Sequence, residues 1–288
     1  MTNEEILAKT KEEIRLRGLS SKTEELYLKN IEFFIKHYKN RPLLEMSETE
    51  IREFLIYMTE ERKISSSTVN VYNCALRFAF GAILERNLNY QMIPRRRIRR
   101  ELPKIMSKSE IARFFSVIDN LRDKAMFMTV YGGGLRLSEV IRLRVQDIDS
   151  VGMRIFVYQG KGGKDRYTLL STANLDILRV YWSTYKPEHP EGFMFYPKYA
   201  KHRILHGHSV GETMKKYLLK AGLPLDYSIR TLRHCFATHL LESGVDVTRI
   251  KQLMGHTHIQ STTFYLHLLN FDGSIQSPLD SLEVDANA

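Results

Sequence analysis

Eleven residues a third of the way along the chain, Pro94-Arg95-Arg96-Arg97-Ile98-Arg99-Arg100-Glu101-Leu102-Pro103-Lys104, limit what the whole sequence can become. Proline has no amide proton and clashes with the preceding helical turn, so no helix runs through this segment. Neighbouring like charges repel and favour extended chain. The polypeptide therefore folds as two bodies: residues 1–90 and 105–270, joined by 91–104 and followed by an acidic tail, 271–288. A chain of 288 residues is long enough for two such cores.

Dividing the net charge of +10 in the same way sharpens the reading. Residues 1–90 carry 14 basic and 14 acidic side chains, 91–104 six and one, 105–270 23 and 14, and 271–288 none and four. The excess sits in the linker and the second body, which favours a polyanion as partner. By itself a basic run is usually a solvated hinge. Beside a phosphate clamp, Arg95, Arg96, Arg97, Arg99 and Arg100 instead make a tether along a nucleic-acid backbone, each contact adding affinity that salt removes. No apolar run has the length of a membrane span, and Met1-Thr2-Asn3-Glu4-Glu5 lacks a signal-peptide start. Cys74 and Cys235, on predicted helices in different halves, build no disulfide framework. A cytoplasmic protein is expected.

The first body reads as about four helices. Ser20, Ser47 and Ser65 stand where side chains cap free amides, and each precedes apolar residues at helical spacing: Ile31, Phe34 and Ile35, then Ile51, Phe54 and Leu55, then Val71, Leu76 and Ala79. Such a pattern specifies a small bundle.

The second body begins with amphipathic helices at Ser109–Phe115 and Arg122–Tyr131. Gly132-Gly133-Gly134 then ends a helix at a tight corner and presents Arg136, with Glu139 three residues on. Read alone, that pair is a surface ion pair of little energetic value. Arg154–Tyr158 and Arg166–Leu170 alternate as strands around Gly160-Lys161-Gly162-Gly163-Lys164, a β-hairpin with lysine at its tip. A helix follows from Ala173 to Tyr181, and Ser209 is placed to cap another running to Lys220. His202, His206 and His208 lack the spacing of a zinc site, so no metal is assigned.

Arg230 to Tyr265 carries the chemistry. Gly244 and Gly255 stand where helices stop, Asp246 and Ser261 where the next begin. Leu232, Phe236 and Leu240 form an apolar stripe on the first of three short helices. Arg230 and Arg233 share a face of it, and two permanently charged planar forks side by side make an anion clamp. With His256 at a rigid corner and Tyr265 nine residues later, the set suits a phosphodiester held by cations and attacked by a phenol oxygen.

Leu232-Arg233-His234-Cys235-Phe236-Ala237-Thr238-His239-Leu240-Leu241, Met254-Gly255-His256, Ser261-Thr262-Thr263-Phe264-Tyr265, Gly134-Leu135-Arg136-Leu137-Ser138-Glu139 and Gly160-Lys161-Gly162-Gly163-Lys164 resemble, in order and spacing, the boxes of the tyrosine recombinases, especially the Xer type. The resemblance implies a mainly α, two-domain protein: a four-helix SAM-like core-binding bundle, then an α+β catalytic domain with a small antiparallel sheet. It implies catalysis by Arg136, Lys161, Arg230, Arg233, His256 and Tyr265, support from Glu139, and no cofactor. Lys164 and the linker arginines would contact DNA. The partners implied are double-stranded DNA with inverted-repeat half-sites and further copies of the chain (a dimer on one site, a tetramer in synapsis), with a DNA translocase as an additional partner. The tail would dock on a neighbouring protomer. The expected task is Xer-type chromosome dimer resolution; mobile-element integration, nicking-closing of the type IB topoisomerase kind and non-catalytic DNA binding are the alternatives. One departure stands out: Arg230 occupies a position where the family often has histidine, a variant similar to archaeal members. Another is Gly133, where threonine is common, a change expected to affect only the turn.

Overall fold

The computed structural model describes residues 1–98, 102–158, 165–197, 199–200 and 202–255. Arg99, Arg100, Lys161, Lys164, His256, Tyr265 and the tail 271–288 lie outside the described residues. The chain divides into two compact units, Met1–Glu101 and Leu102–Ala288.

Unit one is a helical bundle of α1 (Asn3–Leu16), α2 (Ser21–His37), α3 (Glu48–Glu60) and α4 (Ser66–Phe78), the last running on into a π-helical turn, Ala79–Ile83. Ser20, Ser47 and Ser65 do cap α2, α3 and α4, each accepting from the amide three residues on. Phe34, Phe54, Leu76 and Phe80 are fully buried in its core. Side chains of that size contribute roughly 1.5–3 kcal/mol each when removed from water.

The start of the basic run, 94–98, is neither helix nor strand, but it is not free. Asn70 on α4 donates to the Arg96 carbonyl and accepts from the Arg96 amide, both at 2.9 Å, and so stands in for a partner strand. Asn73 reaches the Pro94 carbonyl at 3.2 Å, and Arg77 the Ile93 carbonyl at 2.6 Å. Backbone outside helix and sheet needs partners for its polar groups, and polar side chains of α4 provide them. Arg95 and Arg97 are exposed, while the Arg96 guanidinium is held by the Thr59 hydroxyl at 2.7 Å.

Unit two is organised around α6 (Leu121–Gly133), which follows α5 (Lys108–Ser116). Amphipathic spacing was expected of α6, yet Ala125, Met126, Phe127, Thr129 and Val130 are all buried, because α8 (Thr172–Tyr185), α10 (Ile229–Glu242) and the sheet pack around it. The sheet is antiparallel in the order β1-β2-β3: Ile148–Asp149, Arg154–Val157 and Arg166–Leu169. Pairing of Arg154 with Leu169 through Val157 with Arg166 fixes the hairpin expected from the alternation. On β3, however, the polar residues face inward. Thr168 is buried and donates to the Gly133 carbonyl at 2.7 Å, whereas Tyr167 and Leu169 are exposed.

Two local expectations are corrected. The cap of α9 (Gly207–Lys220) is His206, whose Nδ1 accepts from the His208 amide, not Ser209. Helix α10 is buried on nearly every side rather than along a stripe, with Arg233, Cys235, Ala237 and Thr238 as inaccessible as Leu232 and Phe236. Gly133 is also more than a turn residue: a β-carbon there would stand 3.3 Å from both the Leu169 carbonyl and Ile155.

Gly134 closes α6 with φ of +60°, and a β-carbon on it would collide with the Phe236 ring on α10. Gly134→Ala thus meets both a left-handed backbone and a closed space. It should lose on the order of 3 kcal/mol, measured by urea unfolding. A variant as stable as the parent would show that corner to be looser than described.

Candidate active site

The left-handed turn at Gly134 reverses the chain and sets Arg136 at the N-cap of a single-turn helix, α7 (Leu137–Val140). Three residues apart, Arg136 and Glu139 would share a face if both were helical. Instead, Arg136 precedes the helix and Glu139 reaches back over it, accepting the Arg136 amide at 2.8 Å and its guanidinium at 2.6 Å. Arg166 of β3 donates to both oxygens of the same carboxylate, at 2.9 and 2.8 Å. Arg233 of α10 lies 3.7 Å from it. One buried carboxylate therefore gathers three guanidinium groups from three separate elements.

Burial alone would raise the Glu139 pKa. The Arg166 hydrogen bonds and charge, and then those of Arg136, outweigh it and hold the carboxyl at about 2. Glu139 is ionised at any working pH.

The same three arginines also meet the end of α11 (Val247–Met254). Arg166 Nε donates to the Leu253 carbonyl at 2.8 Å, Arg233 Nη2 to that of Met254 at 2.5 Å, and Arg136 Nη2 to that of Gly255 at 3.1 Å. A helix leaves its last carbonyls without internal partners, and they form the negative end of its dipole. Three cations on three successive carbonyls satisfy both the bonding and the charge. Arg233 Nη1 additionally donates to the Gly134 carbonyl, which ties α10 to the corner after α6. Gly255 caps α11 with φ of +60°, and a β-carbon there would lie 2.8 Å from Arg166 Cδ, so glycine is required twice over.

The structure thus brings together Arg136, Glu139 and Arg233 of the residues singled out in the sequence. Arg136 keeps 23% of its side chain exposed against 7% for Arg233, which makes Arg136 the more open of the two to a ligand. Arg230 is exposed on the first turn of α10. His234 lies between the two α10 arginines in effect: burial first, then the Arg230 and Arg233 charges, push its pKa down to about 4, so its imidazole is neutral near pH 7. Arg95, Arg96 and Arg97 belong to unit one.

Arg166 was missed. It stood in the sequence as an ordinary charged residue of an alternating strand, and only the inward face of β3 reveals its task. Its one available signal was position, since it opens the strand that follows the glycine-rich loop.

Among the described residues, no group of three or more His, Cys, Asp or Glu is placed to hold a metal ion, and no helix is long and apolar enough to cross a membrane. Both cysteines are free, and burial pushes the Cys235 thiol up to about 11.

Known proteins resemble this chain along most of its length. Residues 100–270 match the phage integrase family, and residues 6–90 match the phage integrase N-terminal SAM-like domain. An integrase/recombinase of Escherichia coli is 30% identical, covering 96% of this chain and 94% of its own length. The tyrosine recombinase XerA of Pyrococcus horikoshii is 31% identical, covering 92% and 90%. Among solved structures, the XerH site-specific recombinase bound to a palindromic difH substrate superposes with a TM-score of 0.73 at 19% identity, over 88% of this chain and 78% of that one. The Tn1549 transposon integrase in complex with circular intermediate DNA gives 0.73 at 20% identity, over 94% and 97%. Sequence, fold and the arginine cluster lead to one conclusion: this chain belongs to the phage integrase family, the tyrosine recombinases, and is a DNA strand-transferring enzyme.

Proposed function

We propose that the chain cuts and rejoins DNA at a specific site by transesterification, with neither metal nor nucleotide in the reaction. The convergence of Arg136 and Arg233 on Glu139 and on the carbonyls of Gly255 and Met254, the two residues immediately before His256 in the chain, is the observation that carries this reading. Arg136 and Arg233, with Arg230 as a third cation, hold the scissile phosphate and offset the charge that grows on its non-bridging oxygens. The Tyr265 oxygen attacks phosphorus and the 5′ oxygen leaves with a proton from Lys161, giving a 3′-phosphotyrosyl link. That link stores the bond, so rejoining needs no ATP. His256 hydrogen-bonds the phosphate. Arginine cannot act as a base, so Arg230 takes no part in moving the tyrosine proton, which passes to His256, to the neutral His234 or to water.

Under this reading the substrate is duplex DNA with inverted-repeat half-sites, bound by two copies per site and four in synapsis; Lys164 and the linker arginines contact its backbone, and the tail 271–288 docks on a neighbouring copy. XerH is seen on a palindromic difH substrate, which supports the symmetry. We assign the Xer-type task of chromosome dimer resolution, with a DNA translocase as a further partner and a cytoplasmic setting. XerA of Pyrococcus horikoshii, at 31% identity, supports it. A second reading, integration of a mobile element, is favoured by the 30% identical integrase/recombinase of Escherichia coli.

The test is to incubate the protein with nicked duplexes from a genomic library, trap the covalent adduct, and sequence both partners. The nucleotide should be found on the peptide containing Tyr265. DNA recovered from one chromosomal site supports dimer resolution, and DNA from element ends supports integration. An adduct on another residue, or none on any nicked duplex, would sink the proposal.

A further inference from the structure

Arg166 is nearly closed to a substrate, with 8% of its side chain exposed against 23% for Arg136, and unlike Arg233 it grips both oxygens of the shared carboxylate. Nη1 and Nη2 are spent on the two Glu139 oxygens and Nε on the Leu253 carbonyl. A guanidinium that chelates both oxygens of a carboxylate acts first through that carboxylate. We propose that Arg166 is a positioning residue for strand cleavage: it occupies Glu139, so that this carboxylate can align Arg136 without cancelling the charge of the clamp.

The reasoning starts from the lone pairs. A carboxylate offers about four acceptor sites on its two oxygens. Arg136 takes one on each, through its guanidinium on Oε1 and its amide on Oε2. Arg166 takes a second on each. Arg233 consequently stays 3.7 Å away, beyond hydrogen-bond length, with its donors turned to the Gly134 and Met254 carbonyls. Three guanidiniums and one carboxylate leave two positive charges for a phosphate. Without Arg166, one positive charge remains and the vacated acceptor sites draw Arg233 onto Glu139. Lysine is a poor substitute, because a single ammonium cannot bond two coplanar oxygens and also hold a carbonyl where Nε stands. The proposal rests on the reading of Arg136 and Arg233 as the phosphate clamp.

Single-turnover adduct formation on a nicked duplex at saturating protein tests it, using Arg166→Met, Arg166→Lys and the double variant Arg166→Met with Glu139→Gln. Arg166→Met should react about 100-fold more slowly. Arg166→Lys should recover less than half of that loss on a logarithmic scale. Adding Glu139→Gln to Arg166→Met should restore the rate by about tenfold or more, because a neutral amide no longer competes for the clamp. A merely structural role predicts the opposite, since the second change removes a further ion pair. Thermal midpoints taken alongside report folding, and if Arg166→Met does not fold, the same comparison is made with Glu139→Gln in the Arg166→Lys background. A rate for Arg166→Met within about threefold of the parent overturns the proposal, as does a double variant no faster than the single. Arg233→Ala separates the two levels of the argument. If that variant reacts at the parental rate, the clamp reading fails. If it is silent while Arg166→Met keeps its rate, only the role of Arg166 fails.

Discussion

Arg233→Ala is expected to slow formation of the covalent adduct by about 10³-fold or more, because it removes a preorganised donor from the phosphate that is being displaced. Its buried guanidinium also holds the Gly134 and Met254 carbonyls, which alanine would leave unpaired. Each such group costs roughly 1–3 kcal/mol, so unfolding in urea should begin at a visibly lower concentration. The two effects are separable. Arg233→Lys keeps a charge but loses the planar fork, and should regain part of the stability and little of the rate. Single-turnover kinetics on a nicked duplex, read beside urea titrations, decide the matter. An alanine variant that forms adduct within about tenfold of the parental rate would remove Arg233 from the chemistry.

Glu139→Gln should lower stability at neutral pH by roughly 3 kcal/mol, and the deficit should vanish in acid. The folded pKa of about 2 lies below the ordinary carboxylate value of 4.5. Ionisation therefore stabilises the fold above the ordinary value, and that contribution fades as pH falls from 4.5 towards about 2. At pH 7 the glutamine variant leaves three guanidiniums gathered around a neutral group, the costly half of breaking a buried pair. Urea midpoints for parent and variant, followed from pH 7 to pH 2.5, should converge at the acid end. Parallel profiles would mean that Glu139 does not hold the cluster together.

What the sequence disclosed followed the range of the signal. Caps are local, so Ser20, Ser47, Ser65 and Asp246 could be read from neighbouring residues. His206 could not, since histidine is an uncommon cap and Ser209 had the expected chemistry. The hairpin was legible from its alternation, but the face it turned inward was not. Thr168 and Arg166 point into the protein because the Gly133 and Leu253 carbonyls and Glu139, all distant in sequence, need donors there. Likewise, an apolar stripe on α10 is what local spacing gives, whereas burial on almost every side depends on what packs against it. Arg136 and Arg233 were found because their flanking residues match family boxes. Arg166, which touches the same carboxylate, falls two residues beyond the Gly160–Lys164 box and so outside it.

Like charges assembled in one place ordinarily push a protein apart once their counter-ion leaves. Here the end of α11 supplies standing negative potential, and its carbonyls stay with the molecule whether or not a nucleic acid is bound. An enzyme built this way can release its strand and wait empty for the next one without collapse or refolding between turnovers.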